Sequence, residues 1–134
     1  MKTVLFACVH NAGRSQMAAA WFNHYADPAR ARAISAGTRP ADRVHPEVQA
    51  AMAEAGIDIG GAVPQRLTTE LVDGASLLIT MGCGDEWPEQ DGVERDDWPL
   101  PDPKGQAPAS VSRIRDEIEG RVRELVIGRG WAAE

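Results

Sequence analysis

The sequence begins with a short apolar run that leads into a loop of small residues and then a predicted helix, and this order leaves few folds open. Residues 2–7 are apolar and prone to β structure, which predicts a buried strand. Residues 8–13 form the loop, and Arg14 begins a segment rich in Ala and Met that predicts a helix ending at Tyr25. A strand, a tight loop and a helix in this order are typical of an α/β fold.

The alternation of strands and helices continues along the chain. Further strands are predicted over three segments, residues 32–35, 75–81 and 93–97. Further helices are predicted over residues 47–55, 68–72 and 109–127. In the last helix, apolar residues recur in steps of three and four at Val111, Ile114, Ile118, Val122 and Leu125. This pattern predicts a parallel sheet with helices on both faces. Ligands bind such sheets at the carboxyl ends of the strands, which directs attention to the segment after Ala7.

Length and composition limit the class of protein. The 134 residues predict a single domain over residues 1–134, and 43% hydrophobic with 25% charged residues is ordinary for a soluble globular protein. The net charge of −6, without a basic block, argues against nucleic acid or an anionic membrane as the main partner. No stretch has the length of a membrane span or the pattern of a signal peptide, and two cysteines make no disulfide scaffold. We therefore expect a cytoplasmic protein.

The loop between the first strand and the first helix is suited to binding a tetrahedral oxyanion. Successive backbone N–H groups in a loop of this length can point inward, and the helix N-terminus adds partial positive charge. Gly13 and Ala12 have little side chain to obstruct that curl, and a guanidinium binds an oxyanion through two parallel hydrogen bonds. The predicted substrate-binding residues are therefore Val9, His10, Asn11, Ala12, Gly13 and Arg14.

Cys8 stands where the strand ends and faces the same positive field. Such surroundings lower the pKa of a cysteine thiol from about 8.5 to roughly 3.5–7.5 and so favour the reactive thiolate. The Ser15 hydroxyl can donate a further hydrogen bond to that thiolate, and Asn11 can brace the loop through its amide. The alternative is a buried Cys8 and a surface Arg14 with no chemical role. The order of strand, Cys, small-residue loop, Arg-Ser and helix favours an activated nucleophile.

The three histidines are given no catalytic role. His10 is interpreted as a loop residue rather than a base, and His24 and His45 are expected to face solvent. No His/Cys cluster has the spacing of metal ligands, so no metal site is expected.

A departing oxygen must be protonated, and Asp102 is the candidate general acid. Prolines on both sides of Asp102 stiffen the backbone and would hold its carboxylate over a site. The alternative is a turn-forming residue, because Asp-Pro pairs are common in turns.

These residues together resemble the low-molecular-weight tyrosine phosphatase superfamily over nearly the whole chain. The resemblance rests on the Cys-x5-Arg-Ser loop after the first strand and on the Asp-Pro segment before the last helix, with further matches at residues 35–38, 80–84 and 98–103. The run Arg14-Ser15-Gln16-Met17-Ala18 is similar to the arsenate reductase branch. The phosphatases usually have Pro in place of Gln16 and tyrosines after the Asp-Pro, where this chain has Lys104-Gly105.

The resemblance implies a fold and a set of roles. The implied fold is a four-stranded parallel sheet flanked by helices. Cys8 is implied as the nucleophile, Arg14 and the loop amides as the oxyanion site, and Asp102 as the acid. Some relatives have a Glu near a potassium site where this chain has Ala19, so potassium binding is not expected.

Cys83 follows the third predicted strand between two glycines. Read alone it is either a small buried hydrophobe or a resolving thiol, and the resemblance implies the second, because many arsenate reductases carry a cysteine here. They carry another a few residues on, whereas residues 85–88 of this chain contain none, with Trp87 in that region. Either Cys8 and Cys83 form the disulfide, or an external thiol such as mycothiol or glutathione resolves the intermediate.

Three hypotheses for function follow. The first is reduction of arsenate to arsenite without an organic cofactor, with Cys8 restored by thioredoxin or by a glutaredoxin-like protein (mycoredoxin) and a small thiol. Phosphate or sulfate would occupy the same loop. The second is a phosphatase that hydrolyses phosphate monoesters with the same loop and acid. The third, a non-catalytic oxyanion binder, predicts the loss of a catalytic element, yet Cys8, Ser15, Arg14 and Asp102 are all present.

Overall fold

Four parallel strands form one sheet in the part of the chain that the structure, a computed structural model, describes: residues 1–81 and 92–133. In chain order the strands are β1 (Lys2–Cys8), β2 (Ala31–Gly37), β3 (Leu77–Thr80) and β4 (Glu94–Asp97). The helices are α1 (Arg14–Tyr25), α2 (Pro46–Glu54), α3 (Thr69–Asp73) and α4 (Pro108–Gly128). The strand order is β2-β1-β3-β4, and all three pairings are parallel. The expected four-stranded parallel sheet with flanking helices is confirmed.

The inner strand β1 is buried on both faces, which explains why its sequence is apolar without alternation. Val4 and Phe6 belong to the larger hydrophobic cluster, which includes the inward sides of α1, α2 and α4. Leu5 and Ala7 belong to a smaller cluster on the opposite face, which Val72 of α3 covers. Helices therefore pack on both faces of the sheet, as the alternation of elements predicted.

The two long helices pack against each other on the same face of the sheet. In α4 the positions picked out by periodicity are buried at Val111, Ile114, Ile118 and Val122, whereas Leu125 is only partly buried. In α1, Phe22 lies edge-on to Phe6 of β1 with the ring centroids 6.1 Å apart. No helix in the described residues is long and apolar enough to cross a membrane.

The pairing of β1 with β2 positions the predicted loop. Strand β2 is longer than the predicted residues 32–35 because it pairs with β1 throughout, from Lys2 with Ala31 to Cys8 with Gly37. The two strands therefore end level with each other. As a result, the segment that leaves β2 begins beside the loop that leaves β1.

Candidate active site

Cys8 and Ser15 meet at the carboxyl end of β1. The Sγ atom of Cys8 lies 2.8 Å from the Oγ atom of Ser15, and both residues are buried. The Nδ2 atom of Asn11 donates a hydrogen bond to the same Ser15 oxygen at 2.8 Å. Because that oxygen already accepts a hydrogen bond from Asn11, its own proton can be directed at the sulfur. A hydroxyl that donates to sulfur favours the thiolate over the thiol.

The loop of residues 8–13 turns its backbone carbonyl groups outward, where each of the first five accepts a hydrogen bond. Backbone N–H groups donate to four of them: Thr38 to Cys8 (3.3 Å), Arg39 to Val9 (2.8 Å), Ala41 to His10 (2.9 Å) and His45 to Ala12 (2.9 Å). The Nε2 atom of Gln16 donates to the fifth, the carbonyl of Asn11, at 3.0 Å. A trans peptide places its N–H opposite its C=O, so the N–H groups of the loop face its inner side. Inward N–H groups are the feature that an anion-binding loop requires.

Asn11 gives the loop its curvature. Its φ angle is 49°, in the left-handed region, and it is fully buried. Asn tolerates this conformation better than most residues other than Gly. Its Oδ1 atom accepts a hydrogen bond from the backbone N–H of Gln65 at 2.9 Å, so the Asn11 side chain is held between Gln65 and Ser15.

Arg14 connects the loop to two other chain segments. Its Nη1 atom donates to the backbone oxygens of Met81 and Leu100, each at 2.9 Å, and the residue is only 8% exposed. A guanidinium has five N–H donors. The two contacts occupy those of Nη1, and among the described residues no hydrogen bond uses Nη2 or Nε. Those donors are the ones suited to a bound oxyanion.

The Asp-Pro segment lies against the loop of residues 8–13, which is called the oxyanion loop below after its predicted role. A Cβ atom built on Gly13 would be 3.0 Å from Cγ of Pro103, so Pro103 lies directly over the loop. Asp102 is exposed, and its Oδ1 atom accepts the backbone N–H of Lys104 at 2.9 Å. The structure thus brings Pro103, the neighbour of Asp102, against the loop, while the Asp102 carboxylate forms the turn that the alternative interpretation predicts.

Cys83 and Trp87 both belong to residues 82–91, which lie outside the described residues. The role of Cys83 as a resolving thiol therefore stays a prediction. Among the residues that are described, no cluster of His, Cys, Asp and Glu side chains could hold a metal ion.

Sequence reasoning missed the outer supports of the loop. His45 was expected to face solvent, but it is partly buried, because its N–H bonds to Ala12 and its ring packs beside Gly13. His24 is exposed, as expected. Residues 38–45 support the loop almost entirely through backbone N–H groups. Because every residue except proline has such a group, the sequence of this segment does not predict its contacts with the loop. Gln16 was noted only as a difference from the phosphatases, not as a contact of the loop.

Comparisons with known proteins point to one family. The family described as low molecular weight phosphotyrosine protein phosphatase matches residues 3–132. A relative from Halobacterium salinarum, named as a candidate arsenate reductase, is 39% identical over 90% of this chain and 87% of its own length. A glutaredoxin arsenate reductase from Synechocystis is 35% identical over 94% of this chain and 97% of its own length.

A solved structure shares the fold as well. The thioredoxin-dependent arsenate reductase of Corynebacterium glutamicum superposes with a TM-score of 0.83 at 41% identity, over 96% of this chain. The present chain spans 61% of the length of that protein.

Proposed function

This chain belongs to the low molecular weight phosphotyrosine protein phosphatase family, and we propose that it reduces arsenate to arsenite through Cys8. The observation that carries the proposal is the contact of Cys8 Sγ with Ser15 Oγ at 2.8 Å, beside a loop whose N–H groups face inward. This arrangement supplies a nucleophile and an oxyanion site in one place. Several relatives are named arsenate reductases, and this favours arsenate as the substrate of the present chain.

In the first step arsenate occupies the loop, bound by its N–H groups and by Arg14. The thiolate of Cys8 attacks arsenic, so that an S–As bond forms and an As–O bond breaks. Asp102 gives its proton to the departing oxygen, which leaves as water. The loop amides and Arg14 stabilise the negative charge that builds up on the arsenate oxygens.

In the second step a second thiolate attacks the sulfur of Cys8. A disulfide forms, the S–As bond breaks, and its electron pair stays on arsenic, which leaves as arsenite. The two thiols are oxidised as arsenic(V) becomes arsenic(III). Cys83 is the internal candidate for the second thiol, and a small thiol such as mycothiol or glutathione is the external one.

A protein thiol system then restores Cys8 by thiol exchange. One relative is named a thioredoxin-dependent arsenate reductase and another a glutaredoxin arsenate reductase. These names support thioredoxin or a glutaredoxin-like protein as the reductant. Such chemistry fits the reducing cytoplasm, where we place the protein. Phosphate and sulfate share the tetrahedral shape of arsenate and would compete for the loop.

A phosphatase is the second candidate, and the family description favours it. The same loop and Asp102 would cleave a phosphate monoester, with water in place of the second thiol. Gln16, and Lys104-Gly105 after the Asp-Pro, separate this chain from the phosphatases it resembles. Weak phosphatase activity is compatible with both candidates because phosphate fits the loop.

The experiment that decides is arsenite release by the purified, reduced protein. Thioredoxin, glutathione with glutaredoxin, and mycothiol with mycoredoxin are supplied separately, and parallel samples receive p-nitrophenyl phosphate. Catalytic arsenite in one system establishes the reductase and identifies its reductant. Nitrophenol release without arsenite in any system establishes the phosphatase. The Cys8→Ser variant is the control and should be inactive in every arm.

A further inference from the structure

We propose that Gln16 is a positioning residue, whose side-chain amide holds Asn11 so that the loop faces the oxyanion and Ser15 faces Cys8. Gln16 is buried in the first turn of α1, with 7% of its surface exposed. Its Nε2 atom lies 3.0 Å from the backbone oxygen of Asn11 and 3.3 Å from the Oδ1 atom of the same residue. One amide group thus contacts both the peptide and the side chain of Asn11.

The contact to the backbone controls one peptide plane of the loop. Four of the five outward carbonyls are bonded to backbone N–H groups, and the carbonyl of Asn11 is bonded to the Gln16 side chain. That carbonyl belongs to the peptide that joins Asn11 to Ala12. While Gln16 holds the oxygen outward, the N–H of Ala12 points to the inner side of the loop. Without the donor, a buried carbonyl loses its partner and the plane can rotate.

The contact to the side chain controls the route to the thiol. An Asn amide has an acceptor at Oδ1 and donors at Nδ2, so a donor placed at Oδ1 fixes which end points elsewhere. Gln16 and the backbone N–H of Gln65 both donate to Oδ1, and Nδ2 is thereby directed at Ser15. Ser15 in turn contacts Cys8 Sγ. Gln16 therefore acts on the thiol through two intermediate residues and touches no reacting atom.

The test compares Gln16→Met, which keeps the length and loses the donor, with Gln49→Met as the matched control. Gln49 in α2 is partly buried, and its Nε2 atom donates to the backbone oxygen of Val44 at 3.4 Å, outside residues 8–13. Both changes are made in a Cys83→Ser background, in which Cys8 is the single cysteine. The rate of its alkylation by iodoacetamide is measured against pH, with thermal unfolding and circular dichroism on the same samples.

We expect the apparent pKa of the Cys8 thiol to rise by about one pH unit in Gln16→Met, because Ser15 is no longer directed at the sulfur and the thiolate loses about one hydrogen bond. It should stay at the starting value in Gln49→Met. KM for arsenate, measured with Cys83 restored, should rise because the N–H of Ala12 no longer points to the inner side of the loop. A residue with a merely structural role would lower the unfolding temperature without moving the thiol pKa.

An unchanged thiol pKa in folded Gln16→Met overturns the proposal, and so does an equal rise in Gln49→Met. If Gln16→Met does not fold, Gln16→Ala, which preserves helix propensity, takes its place. An unchanged thiol pKa in folded Gln16→Ala then overturns the proposal in the same way. The inference builds on the proposed role of Cys8, but alkylation requires no arsenate. A failure of arsenate reduction is therefore distinguishable from a failure of the role given to Gln16.

Discussion

Gly37 lies so close to Val9 that a Cβ atom built on Gly37 would stand 2.5 Å from the backbone oxygen of Val9. The same atom would be 2.9 Å from the backbone nitrogen of Asn11. The end of β2 therefore lies directly against the outer side of the oxyanion loop. This close approach lets the residues after Gly37 reach the loop carbonyls with their N–H groups, so only glycine fits at this position without moving the loop.

Replacing Gly37 with Ala should therefore displace the loop. We expect the free energy of unfolding to fall by about 1–3 kcal/mol, the usual cost of overpacking. KM for arsenate should also rise, because the inward N–H groups move. Steady-state kinetics and urea unfolding measure the two effects. Gly120→Ala is the control: its Cβ would meet nothing within 4 Å, and alanine in an exposed helix should stabilise by about 0.5–1 kcal/mol. Unchanged activity and stability in Gly37→Ala would contradict the packing argument.

Asp102→Asn separates the acid from the turn. Asparagine keeps the Oδ1 acceptor that bonds the N–H of Lys104, but it has no proton to give to a departing oxygen. We expect a loss of roughly 10²–10⁴-fold in the rate of arsenate reduction, the usual range for a general acid.

Asp58→Asn is the matched control for that loss. Asp58 forms the same kind of turn, since its Oδ1 atom accepts the N–H of Gly60 at 2.8 Å, but it lies between α2 and α3. Its variant should keep the wild-type rate. An equal rate in Asp102→Asn would leave Asp102 as a turn former.

Cys83→Ser tests the internal thiol. If Cys83 resolves the intermediate, the variant should react once with arsenate and then fail to turn over with thioredoxin. Rapid mixing followed by mass spectrometry would detect the trapped adduct on Cys8, and steady-state arsenite release would show the missing turnover. Full turnover with thioredoxin alone would refute that role. Turnover that returns only with a small thiol would identify the external route.

Tyr25 makes stability depend on pH at the alkaline end. Its hydroxyl donates to Glu119, and this hydrogen bond, with partial burial, raises the pKa of Tyr25 above its ordinary value of 10.0. A raised pKa in the folded state means that the contribution to stability is complete below pH 10 and is lost as the pH rises through the folded value. Tyr25→Phe should therefore be less stable than the wild type by about 1 kcal/mol at neutral pH. As the pH rises above 10, the variant should lose less stability than the wild type does.

The titration of Tyr25 can be followed directly, because it is the single tyrosine of the chain. Ultraviolet difference absorbance of the folded protein should give a midpoint above 10. Glu119→Gln keeps an acceptor and removes the charge, so it should lower that midpoint towards the ordinary value. A wild-type midpoint at or below 10 would show that the bond to Glu119 does not hold in solution.

Local patterns predicted most of the elements. Helix α1 was predicted with its observed bounds, because residues 14–25 are rich in Ala and Met and an Asp-Pro pair closes the segment. Helix α4 was predicted to within one residue at each end from its periodicity. Strand ends were less accurate: β2 is longer than predicted, and β3 covers only Leu77–Thr80 of the predicted residues 75–81. Pairing between strands decides where strands end, and pairing is not a local property.

The part of the site that is contiguous in the chain could be predicted from local patterns alone. Cys8, the small residues after it, Arg14 and Ser15 are neighbours in the chain, and a strand followed by a helix brings them together. The contacts that hold the loop in shape become visible once the chain is folded: the backbone of residues 38–45, the close approach of Gly37, and the carbonyls of Met81 and Leu100 that fix Arg14. These partners lie far away in the chain and act mainly through backbone atoms, which every residue shares. No sequence pattern identifies them, because it is the folding of the parallel sheet that brings these segments next to the loop.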